Sequence, residues 1–576
     1  MFAGRCSRAT GKNRFLAISL LVFAAVPVGC GVPGAYGPAD TYGLDFSMPP
    51  DSQLSGAIVF FVDGVNASIF QEMIEAGELP AIKKYLADPG LYAPRAVANT
   101  PSVTLANMTS LVTGEFPGHH GVTGVNWFDR NQLLWRNYET IAQKNTLDGD
   151  YVPANLYEQF PDRSTFSVFF QPHRGTTKFI ENWTSAGPPF YFGWYEFVDR
   201  LTLSRFDLVI DIARKRQEFP AVTVAYLLAP DFRAYGKGVK SKEYRDALRH
   251  TDRQIGRVCG DLERAGLLEK LHLVLVSDHS LGEVTRHFPL EKYLREQVGL
   301  NIARQRLWEQ TPFEKRLEYY RQFPAVLYGS GDRYWAICLR KPRRVTTESA
   351  DFAAWTVRPG PSELQDYPIH SEPSVLARLA NVFFHVTWPP PQRKDLLSLL
   401  VEPEAVDALA YSVGADRVRV RRKGGEVEFR QDGGREGSIS YHLIAGEDPL
   451  GWKGKVSVAA LRGEPMDGRE WLAATHDTQY PDLPAQILAY FRARRAGDIA
   501  MFAAPGWDFN TVNRAGHGGL RPEDLHVPIL LAGPRVPHGR VQVARTVDVM
   551  PTLLELLGRP LPPGLDGRSL IPPPAE

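Results

Sequence analysis

Three apolar runs in this chain end in residues that can hold cations. Ala57–Val62 runs into Asp63-Gly64, Val222–Leu228 into Ala229-Pro230-Asp231, and Leu271–Val276 into Ser277-Asp278-His279. Carboxylates gathered in one place repel one another unless positive charge lies between them. Asp mixed with His suits Zn²⁺, with Mn²⁺ or Fe as rivals, whereas oxygen-only sets suit Mg²⁺ or Ca²⁺. A lone Asp after a strand is more often a helix cap or turn residue. Three in the same topological place favour a metal centre. A hydroxyl joins them: Thr100–Gly114 opens with turn residues, becomes helical near Thr104 and stops at Gly114. A hydroxyl at a helix start meets the positive end of the macrodipole, which favours an alkoxide or a phosphoryl group there. Ser and Thr are also the commonest helix caps, so this segment alone is weak evidence.

The positioning elements follow from the same runs. Continuous apolar, β-branched stretches read as strands buried on both faces. Ile499–Ala503 and Val527–Ala532 are two more, and Ile69–Leu86 and Tyr244–Ala265 carry helical patterns. Strand–helix–strand alternation predicts an α/β fold with a mostly parallel central sheet flanked by helices. Such sheets bind ligands beyond the carboxyl ends of their strands, where these acids fall. Residues 301–480 break the rhythm and read as an inserted α+β cap. Pro389–Pro391, the acidic stretch 402–407 and the hairpin pattern Asp416–Arg430 mark it. That hairpin turns at Gly424-Gly425 and sets Arg and Lys residues opposite Glu. It is either a substrate-selecting lid or a solvated hairpin. The expected organisation is 1–29 signal peptide, 30–55 tether, 56–300 first core part, 301–480 cap and 481–576 second core part.

The 576 residues allow about three to five domain-sized units. With 44% apolar and 23% charged residues, the chain is globular. A net charge of +1 without a basic block excludes coating of a nucleic acid polymer as its main task. Its four cysteines form no CxxC pair and no disulfide framework. Arg5, Arg8, Lys12 and Arg14 precede the apolar run Phe15–Gly29, the pattern of an export signal. The run is short of the ~20 residues that span a bilayer. Gly29-Cys30 resembles a lipoprotein cleavage site, although Pro27 stands where Leu is usual. The expectation is an exported, periplasmic or outer-surface lipoprotein held at a membrane by its N-terminus.

Further motifs occur in order: Gly77-Glu-Leu-Pro80, Pro101-Ser-Val-Thr104 with Asn107, Thr113-Gly114, Pro117, His120-Gly121 and Gly516-His517-Gly518. The tail Arg545–Gly558 with Leu565–Leu570 follows. Together with the three strand ends, this set resembles the alkaline phosphatase superfamily, in its type I phosphodiesterase/nucleotide pyrophosphatase branch, over roughly 56–290 and 485–572. The resemblance implies an alkaline phosphatase-like fold and a pair of divalent metal ions, most often Zn. Asp63, Thr104, Asp278 and His279 would surround one metal, with Thr104 as nucleophile. Asp231 and His517 would bind the second, and Asn107 would hydrogen-bond a phosphate oxygen. The implied reaction is two-metal phosphoryl transfer through a phospho-threonine.

The sequence departs from the family at one ligand. The His expected four residues after Asp231 is Tyr235, so that site has Tyr235 as a phenolate ligand, a harder ion such as Mn or Fe, or a substitute such as His250 or His287. A phosphomonoesterase or envelope phosphotransferase is the alternative enzyme. A catalytically inactive binding homologue is the alternative of another class. The substrate is expected to be a small-molecule, lipid or glycan phosphate ester. The segment Thr104–Met108 lacks the Cys/Ser-x-Pro-x-Arg pattern of a sulfatase. His119, His120, His173 and His370 read as structural or isolated. Cys259 and Cys338 read as inert thiols, and Trp127, Phe128 and Trp183 as either cleft or core.

Overall fold

The computed structural model describes residues 55–140, 143–181, 183–216, 219–342, 354–369 and 392–572. The expected signal peptide, nearly all of the tether, His370 and Pro389–Pro391 lie outside the described residues. Six strands of the main sheet precede residue 300: β1 (Gly56–Val62), β2 (Leu91–Val97), β3 (Thr165–Val168), β4 (Lys178–Ile180), β5 (Val222–Leu227) and β6 (Leu271–Val276). A second sheet follows, made of β7 (Ala325–Ser330), β8 (Tyr334–Leu339), β9 (Val406–Gly414), β10 (Arg417–Arg422), β11 (Gly425–Asp432), β12 (Ser438–Gly446) and β13 (Ile499–Ala503). The chain then returns to the main sheet as β14 (His526–Ala532) and β15 (Gly539–Arg540). The helices that matter for the site are α1 (Ala67–Glu75), α2 (Thr104–Thr113), α3 (Trp183–Tyr191), α4 (Tyr195–Arg216), α5 (Ala229–Lys237), α6 (Lys242–Arg264) and α7 (Val549–Leu556).

The main sheet has the order β15-β2-β14-β6-β1-β5-β3-β4. From β6 to β4 its neighbours are parallel, as the buried apolar runs predict. β14 runs antiparallel to both β6 and β2. It enters the sheet from the loop beyond His517, at the carboxyl end of the parallel strands, and so must run back. Helices bury one face each. α6 starts at Ser241, whose hydroxyl accepts from the Tyr244 amide at 3.1 Å. It then buries Tyr244, Ala247, Leu248, Ile255, Val258, Cys259 and Leu262 along one stripe. Burial pushes the Cys259 thiol up to about 12, so it is inert.

Two expectations change. Ile499–Ala503, read as another central strand, lies between β8 and β9 in the second sheet. An apolar run signals burial on both faces but does not name the sheet that buries it. The helical pattern Ile69–Leu86 splits into α1 and a second helical stretch of residues 80–87, because Gly77 takes φ +73° between them.

The second sheet is antiparallel throughout. Its β10–β11 hairpin pairs Arg422 with Gly425 and sets Arg419 opposite Glu428, with Nε 2.7 Å from the carboxylate. The sheet is fastened to the core by Asp407 of β9. Its buried carboxylate accepts from Arg521 at 2.7 and 2.6 Å, from Arg422 at 3.0 Å and from the Tyr480 hydroxyl at 3.0 Å. Arg521 lies in the same loop as His517. Removing one partner of a buried ion pair leaves the other charge uncompensated. Asp407→Ala is therefore expected to lower unfolding stability by about 3–5 kcal/mol in denaturant titration. A loss below about 1 kcal/mol would show that the clamp is no stronger than a surface pair.

Candidate metal centre and nucleophile

Strand register sets two of the acids side by side. Phe61 of β1 pairs with Val276 of β6, and Asp63 and Asp278 each follow two residues later. On the other flank Phe61 pairs with Tyr226 of β5, and Asp231 arrives from the first turn of α5. The end of β1 approaches Asp231 so closely that a Cβ at Gly64, which has φ +66°, would lie 2.8 Å from the Asp231 Cβ. The Gly64 amide donates to Asp278 Oδ1 at 3.2 Å. The Tyr226 hydroxyl donates to Asp63 Oδ2.

Two imidazoles close the cluster. His279 Nδ1 lies 3.1 Å from the Ser280 carbonyl, and His517 Nδ1 lies 2.7 Å from the Ser102 carbonyl. Carbonyls only accept, so each ring carries its proton on Nδ1 and presents the bare Nε2 lone pair. His279 Nε2 stands 3.3 Å from both Asp63 Oδ1 and Asp278 Oδ2. The two rings stack with centroids 3.4 Å apart. Ligand atoms of Asp63, Asp278 and His279 lie within 4.8 Å of one another, and so do those of Asp231, His279 and His517. Asp63 Oδ1, Asp231 Oδ1 and Asp278 Oδ2 are buried without a hydrogen-bond donor. Lone pairs facing lone pairs in a buried pocket are the donor set of a divalent cation, so these residues fit a metal.

Thr104 begins α2, and its Oγ1 lies 3.2 Å from His279 Nε2. Gly114 ends the helix in the left-handed conformation. Ser102, the neighbouring hydroxyl, is engaged with the 518–519 backbone. Asn107 was expected to face a phosphate, and its amide is turned into the loop instead. Its oxygen accepts from the amide and side chain of Asn99, and its nitrogen donates among the Asn99, Pro101 and Val103 carbonyls. It braces the segment that presents Thr104.

Tyr235 lies one turn after Asp231 on α5, with its ring edge-on to His517 at 5.7 Å. Neither His250 nor His287 falls in a metal-capable group among the described residues. His287 pairs with Asp508 instead. His119 pairs with Asp566 and His120 with Ser110, which makes both structural. Trp127 and Phe128 are core residues. Sequence reasoning overlooked Tyr226 and Asp332. The one is hidden in an apolar strand run, and the other in a Gly-rich turn that folds against His517.

The family model of type I phosphodiesterase/nucleotide pyrophosphatase matches residues 57–344, half of the chain. The chain belongs to this family. The matched segment includes Asp63, Thr104, Asp231, Tyr235, Asp278 and His279. The mouse ectonucleotide pyrophosphatase/phosphodiesterase family member 1 is 27% identical over 266 residues, covering 45% of this chain and 27% of the relative. Ectonucleotide pyrophosphatase/phosphodiesterase 2 of Saccharomyces cerevisiae is 24% identical over 204 residues, 33% of this chain and 40% of the relative. The matched region is thus well under half of either relative. The solved structure of murine ectonucleotide pyrophosphatase/phosphodiesterase 5 superposes over 88% of this chain and 96% of its own with TM-score 0.52 at 13% identity, which shows a common fold. The main sheet and its helices are accordingly alkaline phosphatase-like.

Electrostatics in this family member's cluster are dominated by burial. Burial, then repulsion from Asp278 and Asp231, holds the Asp63 carboxyl well above the usual range. Asp231 is raised by burial, then by Asp278 and Asp332. Burial also raises Asp278. Burial lowers His279 to about 3, and burial with repulsion from His279 holds His517 well below the usual imidazole range. At neutral pH the imidazoles are therefore neutral, and the carboxyls hold protons more readily than exposed ones do, so an entering cation competes with protons for them. Adding Zn²⁺ or Mn²⁺ to chelator-stripped protein at neutral pH is expected to release protons, increasingly so as pH falls, with weaker binding. Calorimetry in buffers of different ionisation enthalpy measures this. Heats independent of the buffer would show that the carboxyls are already ionised.

Proposed function

We propose that this chain is an exported, divalent-metal-dependent hydrolase of phosphodiester or pyrophosphate bonds that works through a covalent phospho-threonine. The observation that carries the proposal is Thr104 at the start of α2, its Oγ1 3.2 Å from His279 Nε2 at the edge of the buried Asp–His cluster. The names of the curated relatives support a nucleotide or related diester as substrate. The basic and apolar N-terminal sequence supports export.

Asp63, Asp278, His279 and Thr104 would hold one cation, and Asp231, His517 and Tyr235 the other. When bound, the cations neutralise phosphate charge and lower the pKa of a nearby hydroxyl. The protein's own part is positioning. The Ser280 and Ser102 carbonyls hold the two imidazoles, and Tyr226 holds Asp63. Asn107 holds the loop that aims Thr104, and the unpaired N–H groups at the start of α2 favour an incoming phosphoryl group. Thr104 Oγ forms a bond to phosphorus while the bond to the leaving oxygen breaks, and the hydroxyl proton ends on that oxygen. Water then attacks phosphorus from the opposite side. The Oγ–P bond breaks, Thr104 regains a proton and the phosphorylated product leaves.

Tyr235 supports a variation on this scheme. Burial, then the charges of Asp332, Asp231, Asp63 and Glu139, keeps its phenol protonated well above the usual range. A phenol must lose that proton to ligate well, so the Asp231 site is expected to bind zinc more weakly than the Asp63 site. Tyr235→His should raise zinc occupancy, read by elemental analysis after dialysis. Two tightly held zinc ions in the wild type and no change in Tyr235→Phe would show that Tyr235 is not a ligand. Thr104→Ala is expected to lower turnover of a chromogenic phosphodiester by a factor on the order of 10³ or more, with unchanged circular dichroism. A near-normal rate would remove Thr104 from the nucleophile's role.

A further inference from the structure

The turn between α3 and α4 carries an aromatic tip. Tyr191, Phe192, Trp194 and Phe197 are 75%, 54%, 59% and 37% exposed. They are four of the eleven exposed large apolar side chains among the described residues, gathered within one short stretch. Single exposed apolar residues need no explanation, but a contiguous patch does. The rings touch one another, with centroids 5.7 Å apart for Tyr191–Phe192 and 5.8 Å for Phe192–Trp194. Arg200, also exposed, places its guanidinium 4.8 Å from the Phe197 ring centroid.

The tip is outward-facing yet firmly based. Beneath it, Phe190 and Tyr195 pack on Phe232 at 4.9 and 4.8 Å. Arg233 donates to the Gly193 carbonyl at 3.1 Å and pairs with Glu196. Asp199, in the first turns of α4, accepts from the Leu228 and Ala229 amides at 2.8 and 3.1 Å. All these anchors lie on or next to α5, the helix that carries Asp231 and Tyr235. The tip therefore stands at the carboxyl end of the parallel strands, on the same side as the metal-capable cluster.

We propose that this tip inserts into a lipid surface and seats the mouth of the site against the membrane. Trp, Tyr and Phe rings suit the boundary between headgroups and acyl chains, and Arg200 suits lipid phosphate. The sequence indicates what covers the patch. Four basic residues and the apolar run Phe15–Gly29 predict export, and Gly29-Cys30 predicts a lipid on Cys30 that holds the mature N-terminus at a membrane. The roughly 25 residues from there to Gly56 can reach at most about 80–90 Å. A body of this size has a radius of gyration of about 24 Å, so either end of the sheet can meet the same bilayer. Seating of the tip rests on the export part of the proposed function and is independent of the chemistry at Thr104.

The test uses the full-length chain reconstituted in vesicles of phosphatidylcholine and phosphatidylglycerol in equal amounts, with brominated acyl chains on the phosphatidylcholine. The emission assigned to Trp194 is the difference between wild type and Trp194→Phe. It is expected to shift to the blue and be quenched by the brominated lipid. The double variant Tyr191→Ser, Phe192→Ser should lose that quenching while keeping its circular dichroism and its turnover of a soluble chromogenic diester. Trp194 emission that brominated lipid leaves unquenched, and that iodide reaches equally with and without vesicles, overturns the proposal and points to water or a protein partner. A raised KM of the double variant for the soluble diester, without vesicles, also overturns it and makes the tip a wall of the substrate cleft. A wild type inactive on every diester leaves the quenching result standing, so the two readings fail separately.

Discussion

Asp63, Asp231 and Asp278 are carboxyls gathered in a buried pocket, and their mutual repulsion is the constraint around which this molecule is arranged. Each is delivered by a different strand end, and the parallel register of β6, β1 and β5 leaves them nowhere else to go. Folding in this arrangement opposes the ordinary preference of a carboxylate for water. The surrounding groups are consistent with a compensating cation rather than with protons alone. Both histidines turn bare lone pairs inward because backbone carbonyls occupy their other nitrogens. Only glycine at position 64 lets the end of β1 come so near to Asp231.

The second sheet is part of this arrangement. The tip of its β7–β8 hairpin lies against the loop that carries His517. The His517 amide donates to the Gly331 carbonyl at 2.7 Å, and the Arg333 amide donates to the His517 carbonyl at 3.0 Å. A Cβ at Gly331 would stand 2.5 Å from the His517 ring, so the close approach depends on glycine there as well. Arg333 is itself buried and paired with Asp524 at 2.7 Å. Asp407 joins the same loop to β9 through Arg521. The position of one ligand-bearing loop is thus set by residues some 110–190 positions earlier in the chain.

α5 is where site and surface meet. One of its faces turns Asp231 and Tyr235 toward His517, while Phe232 and Arg233 support the aromatic tip. A helix shared in this way links the geometry of the weaker proposed metal site to whatever the tip touches. It also explains why the stretch from α3 to α5, rich in aromatic side chains, is more than filler between β4 and β6.

Which residues gather in the cluster was legible in the sequence. Apolar runs ending in Asp63, Asp231 and Asp278-His279 identify buried strands and their carboxyl ends, because burial on both faces demands continuous apolar residues and a parallel sheet presents those ends together. The start of α2 at Thr104 and its stop at Gly114 were legible from local turn chemistry, and the β10–β11 hairpin from alternation and paired charges. Tertiary structure decided what local pattern does not encode. Ile499–Ala503 reads as a buried strand anywhere, and only its neighbours placed it in the second sheet. Asn107 reads as a polar group near the nucleophile, and only the fold of residues 99–103 turned its amide inward. Tyr226 and Asp332 gave no signal, because each acquires its role from partners more than a hundred residues away. Periodicity reports how a segment is buried, whereas pairing across the chain determines what it is buried against.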